Sequence, residues 1–277
     1  MTAQKLMPAQ VFKFHNPEWG EGYAFEGAGR PWKPDDIQQV PIGTVIQLGI
    51  DKFVYGHAAG TVIPNFGAKI KNPQDVSQEI IGADADIYAT SIVLTLDNTD
   101  GPTYNGLLPE NYLAGGRVVV FPAGNDPENF TRTILSNTAV TVNGGTATFT
   151  VELDAPIPVA LTTSDVAEAM ASPWAAVVPN TATKLTDNLC SVCGIPTCKA
   201  TSGQFLWFQI GGIIWTSPDA ALGAGASNRD ARYNGDGSVS DGDDIYTADI
   251  EQRCGFVLAN DKGEGQGAPF IMLDPMV

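Results

Sequence analysis

The segment from Asn234 to Asp244 has the residue types of a metal-binding loop. Calcium loops place oxygen ligands at positions 1, 3, 5, 7, 9 and 12, with a glycine at position 6. With the first residue of the segment at position 3 and Gly237 at position 6, the candidate ligands are Asn234, Asp236, Ser240 and Asp243. Position 1 is then Arg232, a cation where a carboxylate is required, so the sequence favours an exposed acidic turn over a calcium site.

Four cysteines offer thiol chemistry, and three of them are close together in the sequence. They are Cys190, Cys193, Cys198 and Cys254. The first two have the spacing of a zinc ribbon, but a second pair with that spacing is missing. Free thiols are the favoured interpretation, and a zinc site or disulfides formed in an oxidising medium remain open alternatives.

Neither histidine stands in a catalytic pattern. His15 and His57 are the only two in the chain, and neither accompanies a Ser or Cys in a recognisable arrangement. The 31 acidic residues make any chosen pair of carboxylates uninformative. The glycine pairs that begin at Gly115 and Gly144 lack the lysine of a phosphate loop. We expect no enzymatic activity, no catalytic residue and no cofactor.

Charge and composition restrict the partners of the protein. The chain has 277 residues and a formal net charge of −16, with no basic stripe. Nucleic acid and anionic lipid should repel such a chain, so neither is an expected partner. No signal peptide is recognisable, and no run approaches the roughly 20 apolar residues needed to span a bilayer. We expect a protein that is used in a cytoplasm or leaves it without a classical signal.

Residues 1–39 differ in composition from the rest of the chain. They combine four prolines with large aromatic residues and show neither period 2 nor period 3.6, which predicts an irregular N-terminal arm. Exposed aromatic clusters usually mark contact surfaces, so these side chains are candidates for binding a partner. They are Phe12, Phe14, Trp19, Tyr23, Phe25 and Trp32. We expect a β domain over residues 40–180 and a C-terminal β region over residues 181–277 that packs with it.

From Val40 onward, short β-prone runs alternate with turn signals. The predicted strands include 44–48, 52–57, 88–96, 117–121, 130–135, 146–153, 253–259 and 268–273. This pattern predicts a mainly β fold, either an antiparallel sandwich or a barrel. One short helix is also predicted, beginning at Asp165, where Glu168 completes a capping box, and ending before Pro173.

The densest apolar run is Gln204–Ser217, which a pair of glycines divides. A Gly-Gly pair between β-prone runs predicts a two-residue hairpin turn, because both central positions need φ > 0. Alternation along the first strand places Phe205, Trp207 and Gln209 on one face. Both faces are apolar, so we expect this strand in the interior, with hydrogen-bond partners for the Gln209 amide.

Several short segments carry a resemblance to a known family. They are 43–49, 53–55, 107–120, 132–139, 148–158, 172–174, 177–179, 193–196 and 201–212, the last looking like a Gly-x-x-x-Trp-x-Gln-x-x-Gly hairpin. Through them the chain resembles a family of tailed-bacteriophage virion proteins, the structural or capsid decoration proteins. The resemblance covers about residues 40–277, with departures at 190–198 and 219–244. These departures leave disulfide, metal or neighbour-contact roles open.

The resemblance implies a decoration (cement) protein, with no catalytic residues. Such a protein binds the outer surface of the phage head, so the implied partner is the major capsid protein. A homo-oligomer is expected, most naturally a trimer at a local three-fold axis. The implied location is the capsid surface of the virion, reached from the host cytoplasm during assembly. The alternatives are a tail or fibre component that binds a receptor, and a glycan hydrolase on a β scaffold, which would need a carboxylate pair in a cleft.

Overall fold

The computed structural model of the chain describes nine ranges of residues. They are 11–16, 20–25, 31–71, 75–123, 129–180, 191–218, 229–240, 252–259 and 270–274, with backbone alone for the first two ranges and for Ala259. Within these ranges the protein contains twenty β-strands and no helix. None of the described residues therefore forms a helix with the length and apolar character needed to cross a membrane.

The strands are numbered along the chain. The first ten are β1 (Val11–Asn16), β2 (Gly20–Phe25), β3 (Val45–Leu48), β4 (Asp51–His57), β5 (Ala68–Ile70), β6 (Val76–Ala83), β7 (Ser91–Asp97), β8 (Leu107–Leu108), β9 (Arg117–Phe121) and β10 (Phe130–Asn137). The others are β11 (Val140–Thr141), β12 (Thr146–Leu153), β13 (Val166–Met170), β14 (Val177–Pro179), β15 (Val192–Pro196), β16 (Phe205–Trp215), β17 (Asp230–Tyr233), β18 (Val239–Ser240), β19 (Gln252–Ala259) and β20 (Phe270–Leu273). The mainly β prediction is confirmed.

The chain divides into two compact units. Unit 1 combines residues 1–71 with 176–277, and unit 2 is the insertion 72–175 between them. This partition differs from the sequential division at 39/40 and 180/181 that composition suggested. Strand pairing is the reason, because β16 forms an antiparallel ladder with β4 and so joins the two ends of the chain in one sheet.

Unit 2 is built on a closed barrel of six strands in the order β10-β12-β7-β6-β13-β9. All neighbours are antiparallel, and β9 closes the barrel by pairing with β10. Alternate side chains fill the interior, among them Leu94, Val120 and Val151, which are fully buried. A closed barrel leaves no edge strand exposed for unwanted pairing.

The predicted helix at 165–171 is wrong, because these residues form barrel strand β13. Ala167 and Ala169 are buried, while Val166, Glu168 and Met170 are partly exposed, which is period 2 rather than 3.6. The strand pairs with β6 on one side and β9 on the other. A helix this short is marginal by itself. The ladder bonds on both sides therefore outweigh the helix propensity of alanine.

Unit 1 is built on a ten-stranded sheet with the strand order β14-β5-β15-β16-β20-β19-β17-β18. Strand β4 also pairs with β16, and β3 pairs with β4. The long strand β16 spans residues that were predicted to form two strands and a turn. The hairpin prediction is wrong, since Gly211 and Gly212 lie within the single strand β16. Gly212 has φ = +95°, and an added Cβ would lie 2.6 Å from the Cα of Asp51. The glycines therefore allow an irregular ladder and a close approach to β4.

One face of β4 and β16 forms an aromatic core. Trp207 and Tyr55 are fully buried cross-strand neighbours with ring centroids 5.1 Å apart. Val40, Ile46 and Phe53 complete the cluster. The expected burial of Trp207 is confirmed, and the amide of the buried Gln209 donates to two backbone carbonyls of its own strand.

The N-terminal segment contains a hairpin. Strands β1 and β2 pair in antiparallel register from Val11 opposite Phe25 to Asn16 opposite Gly20. The predicted irregular arm is therefore wrong for residues 11–16 and 20–25. Neither strand contains a proline, so no residue within them lacks the N–H that a ladder bond needs.

Candidate functional site

The segment 31–39 is tied to unit 1 by its backbone and side chains. Asp35 exchanges two backbone hydrogen bonds with Phe205, at 2.8 and 2.9 Å. Its carboxylate accepts a hydrogen bond from the Tyr55 hydroxyl, with an O–O distance of 3.0 Å. The same hydroxyl accepts a hydrogen bond from the Gln39 N–H, with an N–O distance of 3.2 Å. Asp36 accepts a hydrogen bond from the side chain of Gln204 at 2.8 Å. The segment is thus held against β16 and β4 at several points.

The ionisation of Tyr55 supports this attachment. Burial raises the pKa of the Tyr55 phenol well above its usual value, and the neighbouring Asp35 carboxylate also disfavours the phenolate. The hydroxyl therefore stays protonated across the physiological range and keeps donating to Asp35. This hydrogen bond connects the segment to Tyr55, a residue of the aromatic core.

Two large apolar side chains of the attached segment point to solvent. Trp32 is 62% exposed and Ile37 is 73% exposed. The indole of Trp32 lies edge-on to the Phe53 ring of the aromatic core, with centroids 5.9 Å apart. We call Trp32 and Ile37 the displayed pair. An exposed aromatic on an ordered backbone is a preorganised contact point for a partner.

The other candidate partner residues are placed less completely. Phe12 and Phe14 lie on β1, opposite Ala24 and Gly22, and Tyr23 and Phe25 lie on β2. Trp19 is outside the described residues. The structure thus places four of the aromatics on one hairpin and Trp32 on the segment that follows it in the chain.

The described part of the candidate calcium segment, residues 234–240, forms a hydrogen-bonded turn that leads from β17 into β18. The Asp236 carboxylate accepts both the backbone N–H and the hydroxyl of Ser238. The Asn234 side-chain oxygen accepts the Ser240 hydroxyl at 2.9 Å. The fourth candidate ligand, Asp243, lies outside the described residues. The side-chain oxygens of Asn234 and Asp236 therefore accept hydrogen bonds within the turn.

Cys198 and Cys254 carry free thiols, and the Cys193 thiol donates a hydrogen bond to the Ala68 carbonyl at 3.4 Å. Cys193 and Cys254 are buried, and Cys198 is partly exposed. Burial raises the pKa of the Cys193 and Cys254 thiols to about 12, so both remain protonated and unreactive at neutral pH. Among the residues that the structure places, no set of three metal ligands includes a cysteine. Cys190 is outside the described ranges.

A group of three carboxylates in unit 2 was not singled out from the sequence. One oxygen from each of Glu79, Asp97 and Asp100 lies within 4.8 Å of the others. Asp100 is 5% exposed and accepts N–H bonds from Ser77 and Asp97 at 3.2 and 3.3 Å. Burial raises its pKa to about 6. Because Asp100 accepts hydrogen bonds from the backbone of β6 and β7, it stabilises the end of the barrel at which β7 ends.

Unit 1 also contains a cavity of about 140 Å³. Its lining is mostly apolar and consists of Val62, Ile63, Phe66, Gly67, Ala68, Pro179, Asn180 and Asp236. Hydrolysis of a glycosidic bond normally uses two carboxylates flanking the scissile bond. This lining supplies one, Asp236, which already accepts the hydrogen bonds of its own turn.

Comparisons with known proteins give no match: no family model, no curated protein and no solved structure is significantly similar to this chain.

Proposed function

We propose that this protein is a bacteriophage capsid decoration protein. In this role it binds the outer surface of the head through the major capsid protein, as a homo-oligomer, and stabilises the assembled shell. The observation that carries the proposal is the displayed pair. Trp32 and Ile37 are exposed, yet Asp35, which lies between them in the chain, is hydrogen bonded through its backbone to Phe205 of unit 1.

A displayed pair of this kind suits a protein whose work is attachment. Trp is among the residues that contribute most to binding when a partner buries them. Because residues 31–39 are already ordered, their burial costs less conformational entropy than ordering a free tail. The aromatic hairpin β1–β2 precedes the displayed pair in the chain and supplies four further candidate contact residues. The resemblance of residues 40–277 to virion decoration proteins implies that the partner is the major capsid protein.

The physical effect of attachment is a shift in equilibrium. A ligand that binds only the assembled shell stabilises that shell by mass action, and more so as it binds more tightly. The two β units suit this purpose, since the barrel of unit 2 has no open edge. The net charge of −16 disfavours unspecific attachment to the nucleic acid that the shell encloses.

Co-sedimentation with purified heads that lack this protein tests the proposal. The full chain should pellet with the heads, and Trp32→Ala and Ile37→Ser should each weaken binding about tenfold or more. Tyr88→Ala is the matched control, because Tyr88 is 71% exposed but lies in unit 2. Circular dichroism should show the same fold for all variants.

Two outcomes would contradict the proposal. Failure of the wild-type chain to bind heads, together with binding to tails or host cells, would favour a tail or fibre protein. Binding that Trp32→Ala and Ile37→Ser leave unchanged would move the contact away from the displayed pair.

A further inference from the structure

Both faces of the sheet formed by β16, β20 and β19 carry apolar side chains. On one face, Ile214, Val257, Ile271 and Leu273 pack into a core cluster of unit 1. The alternate residues point to the opposite face, and they are also apolar. They are Ile213, Trp215, Phe256, Leu258, Phe270 and Met272. We call these six residues the outer apolar face.

The strand register makes the outer apolar face contiguous. Ile213, Met272 and Phe256 lie opposite one another across three strands. Trp215 lies opposite Phe270 in the next row. Residues that face each other across strands have Cβ atoms close enough to touch. The six side chains therefore form one patch rather than scattered exposed residues.

The patch is large enough to need an explanation. The exposed fractions are 43% for Ile213, 38% for Phe256, 39% for Leu258 and 47% for Phe270. With large side chains of about 150–250 Å² each, the exposed apolar area is on the order of 400 Å². Patches of this size on soluble proteins usually mark an interaction site. This area is about half of what one partner contributes to a standard interface, which fits an apolar centre with a polar rim.

The rim of the patch carries balanced charge. Asp230 lies opposite Phe256 in the ladder and pairs with Arg232 and Arg253 at 3.2 and 2.8 Å. Arg253 also pairs with Asp274 at the end of β20. Two cations and two anions thus border the patch, although the whole chain carries a net charge of −16. Two copies of so acidic a chain repel each other in general, but this rim meets its own copy without net repulsion.

Residues 260–269, which join β19 to β20, are polar in composition and contain no apolar residue larger than proline. A self-complementary charge pattern around an apolar centre is what an interface between identical surfaces requires. We propose that the outer apolar face is the contact between copies of this chain.

Sedimentation velocity of the full chain over a range of concentrations tests this proposal. The wild type should be a multimer, and Phe256→Glu should weaken the association by about a hundredfold, because it buries an uncompensated charge at the centre of the contact. Arg253→Glu should weaken it by about tenfold, since it leaves a rim of net negative charge. Leu135→Glu is the matched control, because Leu135 is 58% exposed on β10 of the barrel and should leave association unchanged.

Three results would overturn the proposal. The first is a monomeric wild type at every concentration. The second is a Phe256→Glu variant that is as multimeric as the wild type but unfolds at lower denaturant, which would show that another part of the chain covers the patch. The third is a Phe256→Glu variant that associates as the wild type does but loses head binding, which would assign the face to the capsid. None of these depends on Trp32, so this proposal and the capsid proposal fail separately.

Discussion

Replacing Trp207 with alanine should destabilise unit 1 and leave unit 2 intact. The indole is fully buried beside Tyr55 in the aromatic core. Removing about 200 Å² of buried aromatic surface costs about 5 kcal/mol at 25 cal/mol per Å². This is an upper bound, because the unfolded chain already buries part of that surface. Measured losses for aromatic-to-alanine changes in cores give about 3–5 kcal/mol, and we expect a loss in that range.

Urea unfolding with segment-resolved hydrogen exchange measures this effect. At a slope of about 2 kcal/mol per molar urea, the unit 1 midpoint should fall by about 2 M. Protection should fall in β4, β15 and β16 but not in barrel strands β7 and β12, which belong to unit 2. Trp32→Ala is the control, because its exposed indole should cost less than about 1 kcal/mol. An unchanged Trp207→Ala midpoint, or equal losses in both units, would refute the assignment of this core.

Three further predictions follow from the contacts. Deleting residues 1–30 should preserve the unfolding midpoint. Deleting residues 1–38 should lower the stability of unit 1 by about 1–3 kcal/mol, because it removes the Asp35 bonds to Phe205 and Tyr55. Thermal unfolding of both truncated chains, followed by circular dichroism, measures the difference. Asp100 should titrate near pH 6 by carbon NMR. Because its pKa is raised on folding, the unfolding free energy of the wild type relative to Asp100→Asn should rise as pH falls from about 7 to about 4, and the opposite slope would contradict the burial argument. Calorimetry with calcium at micromolar concentration should give no saturable heat, since Asp236 is engaged by Ser238, and a single-site isotherm lost in Asp236→Ala would reverse that conclusion.

Local patterns predicted most strands but not how long-range pairing uses them. The predicted strands 146–153 and 117–121 have the same bounds as β12 and β9. They were predictable because period-2 alternation and flanking turns are local properties of the sequence. The run at 165–171 has helix propensity and a capping pattern, yet two barrel neighbours hold it as a strand. The pair Gly211-Gly212 has the sequence of a turn, but its close approach to Asp51 depends on β4, far away in sequence.

The displayed pair and the outer apolar face also depend on long-range contacts that local sequence patterns do not predict. Composition predicted Trp32 as a candidate contact residue. The bonds that attach its segment to Phe205, however, connect residues about 170 positions apart, beyond any local pattern. The outer apolar face was missed because both faces of β16 are apolar in sequence. Only the register with β19 and β20 shows which of those residues remain exposed.

Electron cryomicroscopy of virions that carry this chain tests the central claim most directly. The capsid decoration proposal predicts density for multimers of both β units at the repeated positions of the outer head lattice. In that density the displayed pair, Trp32 and Ile37, should face the major capsid protein. Density confined to the tail or its fibres, or a head surface without this chain, would contradict the proposal.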